Sequence, residues 1–210
     1  MAARQRRSAE QRGSAGSIAG RGRPRDEGRR KAVVQATREL LIASGYDEVS
    51  LSAVARLAGV SRPFVYDNWG TRFALVEDAI FTAPDQVSLV DNDKPFADAF
   101  GDLIATVVGV MSDPAYLAGL PGLAAELYNR PDLVDALECK YMAPVRSVFV
   151  RVVERGKAEG AVTAHADGSA LLDTIRGAVM MHTLVNPAVG GVALIEHLRA
   201  TLLHGIMIRS

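Results

Sequence analysis

The segment that most constrains this chain is residues 50–75, where a glycine turn separates two short helical stretches and a third follows at once. Ser50 and Ser61 stand just before the two short stretches, where a serine hydroxyl can accept a hydrogen bond from an unpaired amide of the first helical turn. Gly59 ends the first stretch, because glycine readily adopts the left-handed conformation that closes helices. Helices this short are unstable alone in water, so they need a longer helix to pack against.

A longer helix is predicted immediately upstream, over residues 27–44. Val33 and Leu40 recur at helical spacing, and Gly45 follows the last periodic residue. Three helices with a tight turn between the second and third match the compact unit whose last helix enters the major groove of DNA. The sequence therefore predicts a helix-turn-helix DNA-binding domain over residues 26–80.

A set of residues in this domain follows the pattern of a known family. The set is Gly45-Tyr46, Ser50-Leu51, Val54-Ala55, Ala58-Gly59-Val60-Ser61, Tyr66, Gly70 and Ala74-Leu75. With these residues, the stretch 27–80 resembles the N-terminal domain of the TetR family of repressors. The resemblance implies an N-terminal DNA-binding domain, a larger helical ligand-binding domain and a homodimer.

The same resemblance implies two groups of DNA-contacting side chains. Those expected to face base edges are Arg62, Pro63, Phe64 and Asp67. Those expected to hold the helix on phosphates, through hydrogen bonds or charge, are Ser50, Ser61, Tyr66, Asn68 and Arg72. Phosphate contacts position such a helix, whereas base contacts give sequence specificity.

Four positions depart from the family pattern. Asn68 and Trp69 stand where the family usually has histidine and phenylalanine, and Arg72 stands where it usually has lysine. An asparagine can still donate to a phosphate, a tryptophan can fill the same core site, and an arginine keeps the positive charge. Asp67 stands where the family often has a basic or aromatic residue. It is a reader of cytosine N4, a partner for a nearby arginine, or a residue that lowers the affinity for DNA.

Positive charge is concentrated at the start of the chain, although the net charge is zero. Residues 1–31 hold ten arginine or lysine residues and three acidic ones, a net charge of +7. Residues 32–80 hold four against six, or −2, and residues 81–210 hold ten against fifteen, or −5. A phosphate backbone would therefore be attracted to the end of the molecule that carries the helix-turn-helix.

Residues 1–25 have the composition of a disordered basic arm. Its end, Arg21-Gly22-Arg23-Pro24-Arg25, resembles the core of an AT-hook, an extended strand whose arginines enter a narrow A·T minor groove. On this interpretation Arg23 and Arg25 contact DNA. One alternative is a mobile tail that only aids solubility. A second is an organelle transit peptide, which Glu10 and the continuity of charge with the DNA-binding domain disfavour.

Residues 81–210 are predicted to form a larger all-α domain for ligand binding and dimerisation, which brings the chain to about nine helices. The predicted helices run over 95–112, around Tyr116, from Pro121 through Tyr128, over 132–159 with a kink at Pro144, over 168–185 and over 190–208. The last two are apolar over wide faces, so we expect them to form the interface of a homodimer. The alternative is that they only close the core of the monomer.

Aromatic, sulfur-containing and basic side chains on several of these helices are candidates for a ligand pocket. They are Met111, Tyr116, Tyr128, Tyr141, Met142, Arg146, Phe149 and Met180. Methionines adapt to varied apolar ligands, tyrosine hydroxyls orient them, and Arg146 could contact a polar or anionic group. Ordinary core packing is the alternative for each residue taken singly.

Several classes of protein are disfavoured by the composition. A single cysteine, Cys139, excludes an internal disulfide framework and fits a reducing cytoplasm. No metal-ligand spacing, phosphate-binding loop or catalytic constellation is found, so we expect no metal, no cofactor and no enzyme activity. No apolar run approaches the roughly 18 residues that span a bilayer, so we expect no membrane association.

The sequence as a whole predicts a cytoplasmic homodimeric regulator that binds a palindromic double-stranded DNA operator. We expect a repressor that a small apolar or amphipathic effector, of unknown identity, releases from the operator. An architectural DNA-binding protein without a ligand is one alternative. A small all-α enzyme with an accidental helix-turn-helix resemblance is the other.

Overall fold

The computed structural model of the chain describes residues 23–81, 94–185 and 191–208. Apart from one isolated β-bridge between Val162 and Met207, the regular structure of these residues is helical, which confirms the predicted all-α class. The helices are α1 (Arg23–Ser44), α2 (Leu51–Leu57), α3 (Arg62–Trp69), α4 (Arg72–Ile80), α5 (Phe96–Met111), α6 (Pro114–Tyr128), α7 (Pro131–Leu137), a π-turn (Glu138–Met142), α8 (Ala143–Ala158), α9 (Gly168–Val185) and α10 (Gly191–Ile206).

The first helix begins earlier than the sequence pattern predicts. Arg23 and Arg25 were expected in an extended strand, but both lie in the first turn of α1, so that prediction is wrong for these two residues. Pro24 does not oppose the helix, because the missing amide of a proline costs nothing in a first turn. The rest of the predicted basic arm, residues 1–22, lies outside the described part of the chain.

Pro121 does not begin a helix as the sequence predicts. Pro121 was expected to begin a new helix, but it lies inside α6, which is continuous from Pro114 to Tyr128. Gly119 and Leu123, on either side of Pro121, are buried, and their packing opposes the ~3 kcal/mol that an internal proline costs. The position of a proline therefore does not by itself decide where this helix begins.

The long helix predicted over 132–159 is present, but it is interrupted by the π-turn rather than by a kink at Pro144. The amide of Ala143 donates to the carbonyl of Glu138, five residues earlier. Pro144 follows in the first turn of α8 and cannot donate to the carbonyl four residues before it. One wider turn accommodates the proline, and α8 continues regularly after it.

The described helices share one hydrophobic core. α1 packs against α4 and α6, while α5 packs against α8, α9 and α10. α6 therefore lies between the helix-turn-helix and the helices that follow it.

Among the described helices no single one is long and apolar enough to cross a membrane, although α5 and α6, bent by 72° at their junction, meet the length and hydropathy criteria as a pair.

Ionic contacts join α1 to the start of α6. Arg38 donates to the Asp113 carboxylate at 2.6 Å and to the carbonyl of Ala79 at 2.9 Å. Burial opposes ionisation of Asp113, but hydrogen bonds from Arg38 and from the amides of Tyr116 and Ala115 hold the pKa of Asp113 below its ordinary value. The same carboxylate thus caps α6 and binds α1.

A close contact joins Tyr46, two residues after the end of α1, to α6. The buried Tyr46 ring lies directly over Gly122, so that a Cβ at Gly122 would be 2.2 Å from Tyr46 Cγ. The Tyr46 hydroxyl donates to Glu126 on the same helix at 2.6 Å, and burial together with this carboxylate raises the pKa of Tyr46. Only a glycine at position 122 leaves room for the ring.

We predict that Gly122→Ala lowers the free energy of unfolding by about 1–3 kcal/mol, because the Tyr46 ring must move and lose its bond to Glu126. The matched control is Gly109→Ala, at an exposed position in the last turn of α5, where nothing lies within 4 Å of the added Cβ. That substitution should stabilise the protein by roughly 0.5–1 kcal/mol. Urea denaturation of both variants measures the difference, and equal midpoints would contradict the close packing described here.

Candidate nucleic-acid interface

Local capping defines both short helices of the helix-turn-helix as the sequence predicts. The Ser50 hydroxyl accepts from the amide of Ala53 at 3.2 Å, and the Ser61 hydroxyl accepts from the amide of Phe64 at 3.4 Å. Gly59, between the helices, adopts a left-handed φ of 66°. The chain can therefore turn sharply enough to place α3 across α2.

α3 has a buried inner face and an exposed outer face. Val65 and Trp69 are buried in the core. The outer face consists of residues at helical spacing that are exposed to solvent: Arg62, Pro63, Tyr66 and Asp67. Tyr66 keeps 51% of its surface exposed. The outer face of α3 is thus available to a partner.

Phe64 differs from these neighbours because it is only half-exposed. Its ring meets the ring of Trp69 edge to face, with 6.3 Å between centroids. The guanidinium of Arg29, on α1, lies 4.4 Å from the centroid of Phe64. Phe64 therefore lies at the junction of α1 and α3, and less of it is presented outward than the sequence suggests.

Both polar atoms of the Asn68 side-chain amide make hydrogen bonds within the protein. Its oxygen accepts from Arg30 at 2.7 Å, and its nitrogen donates to the carbonyl of Phe64 at 2.8 Å. Trp69 fills the core site expected of it and also donates from Nε1 to Asp78 on α4 at 2.9 Å. A phenylalanine at this position could not make that bond.

Arg72, in the first turn of α4, is more engaged than the sequence suggests. Its guanidinium lies 4.7 Å from the centroid of the Tyr46 ring and donates to the carbonyl of Asp47 at 3.2 Å. It also lies 3.7 Å from the Glu126 carboxylate on α6. The side chain thus connects the start of α4 to α6, and part of its surface remains exposed.

Sequence reasoning missed two arginines on α1 that contact α3. Arg29 covers Phe64, while Arg30 binds Asn68 and lies 4.9 Å from the centroid of the Trp69 ring. Their charge was counted with the basic segment, but the sequence pattern gave no sign of which side chains they would meet. Contacts between residues nearly forty positions apart depend on how α1 crosses α3.

Comparison with known proteins identifies the family. A family model described as "Bacterial regulatory proteins, tetR family" matches residues 33–79, and one described as "Tetracyclin repressor-like, C-terminal domain" matches residues 96–202, about half of the chain. The chain belongs to the TetR family. It is therefore a DNA-binding transcriptional regulator of a family whose members dimerise, and not an enzyme.

Individual relatives agree with this assignment. The chain is 27% identical to the uncharacterized HTH-type transcriptional regulator YdeS of Bacillus subtilis, over 79% of this chain and 83% of YdeS. It is 28% identical to the DNA-binding transcriptional repressor TetR of Mycobacteroides abscessus, over 76% of this chain and 84% of that protein. The fold is similar to a TetR-family regulator from Mesorhizobium loti, with a TM-score of 0.67 and 18% identity over 88% of this chain and 99% of that one.

In this TetR-family chain, part of the predicted ligand set meets at the end of α4. The rings of Tyr116 and Tyr141 both contact Phe81, with centroids at 5.9 Å and 4.9 Å. Met111 is buried and Met142 is half-buried. Phe149 is buried elsewhere, against Phe100 at 6.0 Å.

Like Phe149, three further predicted ligand residues lie outside this group. Tyr128, at the end of α6, is 90% exposed, and Met180 on α9 is 44% exposed. Arg146 lies at the surface, where it donates to both oxygens of Asp173 at 3.2 and 3.3 Å, and this pairing raises the pKa of Arg146. Arg146 thus joins α8 to α9.

Proposed function

We propose that this regulator is a repressor that binds a palindromic operator as a homodimer and is released by a small apolar or amphipathic effector. The observation that carries the proposal is the exposed outer face of α3, in a chain that belongs to a DNA-binding family. The relative from Mycobacteroides abscessus, a repressor by its name, supports repression. Residues 26–80 would read DNA, and residues 81–210 would bind the effector and the second copy.

The exposed side chains of α3 suit base recognition. Arg62 can donate two hydrogen bonds to guanine, and Asp67 can accept one from cytosine N4. Tyr66 and the two capping serines would hold phosphates, with Arg72 at the start of α4. Arg23 and Arg25, together with the basic segment before them, would add attraction that is independent of sequence.

The exposed apolar side chains of the last two helices support the homodimer. Met181 and Val185 on α9 are 60% and 62% exposed, and Val192 on α10 is 71% exposed. Large apolar side chains with this exposure are available for contact with a second copy. A second copy would cover them and place two α3 helices about 34 Å apart, on one face of the duplex.

The aromatic cluster of Phe81, Tyr116 and Tyr141 supports an effector site next to α4. A ligand that packs against these rings would contact Phe81 at the C-terminal end of α4, and Arg72 lies at the N-terminal end of the same helix. Such a ligand shifts the affinity for DNA only by its differential affinity for the two arrangements of the protein. An apolar ligand suits this site, because the three aromatic rings present mostly apolar surface.

Selection of bound duplexes from a random pool tests the operator. We predict a palindrome whose half-sites are centred about one helical turn, or a multiple of it, apart. Arg62→Ala should weaken binding to the selected duplex by about 10-fold and have a smaller effect on random-sequence duplex. Lys31→Gln, which removes an exposed charge on α1, is the control and should weaken both alike. If Arg62→Ala prefers the selected duplex over random duplex as strongly as the parent does, base recognition by α3 is contradicted.

Charge placed in the proposed dimer interface tests the second copy. We predict that Val185→Glu yields a monomer in sedimentation and weakens operator binding by about 100-fold, because a monomer loses the avidity of two linked heads. Val134→Glu, at a 45% exposed valine on α7, is the control and should remain dimeric. A Val185→Glu variant that stays dimeric would place the interface elsewhere.

Thermal melts against a library of apolar and amphipathic compounds test the effector. A compound that binds only the folded state at about 100 times its Kd should raise the Tm by about 5–10 °C. The same compound should release the selected duplex, and Tyr141→Ala should weaken both effects together. A library in which no compound does both would favour the architectural DNA-binding alternative.

A further inference from the structure

Four side chains from three helices form one connected group around the end of α3. Arg30 of α1 donates to Asn68 at 2.7 Å and lies 4.9 Å from the centroid of the Trp69 ring. Trp69 in turn donates to Asp78 of α4 at 2.9 Å. The group closes on itself, because the Asp78 carboxylate lies 3.9 Å from the Arg30 guanidinium. We name these four residues the α3 clamp.

Two members of the α3 clamp stand at two of the four positions where this chain departs from the family pattern. Asn68 and Trp69 replace the usual histidine and phenylalanine, and both contact Arg30. The indole N–H of Trp69 makes a bond to Asp78 that a phenylalanine cannot make. The two departures therefore work together with partners on α1 and α4, and they are not independent surface changes.

The α3 clamp joins the C-terminal end of α3 to α1 and α4, at a short helix with few buried side chains. α3 has eight residues, of which only Val65 and Trp69 are buried. Directly after Trp69 the chain turns at Gly70, whose φ of 69° leaves the helix without a further turn. Phe64, one turn earlier, is held by Trp69 and by Arg29.

We propose that Arg30, Trp69 and Asp78 are positioning residues that set the tilt of α3 and thereby determine operator selectivity without touching a base. This inference rests on the proposed role of α3 as the reading helix. Hydrogen bonds to base edges need donor–acceptor distances within a few tenths of an ångström, so they are lost when the helix tilts. Attraction between charged groups and phosphates changes little over the same displacement. Loss of the α3 clamp therefore affects selective binding more than nonselective binding.

The test compares full-length variants on the duplex recovered by the selection and on random-sequence duplex of equal length. Trp69→Phe keeps an aromatic ring and the net charge but loses the bond to Asp78. We expect it to weaken binding to the selected duplex by about threefold to tenfold, the equivalent of one hydrogen bond, and to leave binding to random duplex unchanged.

Charge variants on α1 separate positioning from electrostatics. Arg30→Gln and Lys31→Gln each remove one positive charge, but among the described contacts Lys31 pairs only with Glu27, on its own helix. Both variants should weaken binding to random duplex alike, and only Arg30→Gln should lose selectivity as well. Arg30→Lys keeps the charge without the planar group that spans Asn68 and Trp69, so it should restore the affinity for random duplex and not the selectivity.

The ratio of the affinity for the selected duplex to the affinity for random duplex distinguishes loss of folding from loss of positioning. A partly unfolded variant loses both affinities together and keeps the ratio, whereas a tilted α3 changes the ratio at temperatures far below the Tm. If Trp69→Phe and Arg30→Lys keep the parental ratio of selected to random affinity while Arg62→Ala lowers it, the positioning role of the α3 clamp is wrong and the reading role of α3 stands. A parental ratio in Arg62→Ala would overturn the reading role of α3 and this inference with it.

Discussion

The structure depends on the contact between the end of α1 and α6, where Tyr46 lies over Gly122 and donates to Glu126. α2 and α3 have seven and eight residues, which is too few for stable helices in water. They need α1 as a support, and α1 itself packs against α4 and α6. The helix-turn-helix is thus supported by α1, which is itself packed against the helices that follow.

Charged contacts also join the DNA-binding domain to the larger domain. Arg38 joins α1 to Asp113 at the start of α6, and Lys140 of the π-turn donates to Glu77 of α4 at 2.7 Å. Although burial opposes its charge, the pairing with Glu77 raises the pKa of Lys140 to about 12. Single ion pairs at a partly exposed surface contribute little, but these contacts all hold α1 or α4 against the larger domain. α4 and α1 are therefore both joined to the larger domain by charged contacts.

Much of the fold is predictable from the sequence because it is decided by neighbouring residues. Ser50 and Ser61 cap their helices and Gly59 turns between them, since capping and left-handed turns involve atoms only a few positions apart. Pro121 shows the limit of this reasoning. A local rule ends the helix there, yet packing on both sides of the proline keeps α6 continuous.

Local spacing by itself determined the helical class, the caps of α2 and α3 and the outer face of α3, because periodicity and capping are properties of adjacent residues. Only the tertiary structure decided that Arg30 meets Asn68 and Trp69, that Arg72 reaches Glu126, and that Tyr128 and Arg146 face away from Tyr116. Those pairings depend on the crossing of helices distant in the chain. Crossing angles arise from the shapes of whole packed faces, which no short stretch of sequence contains.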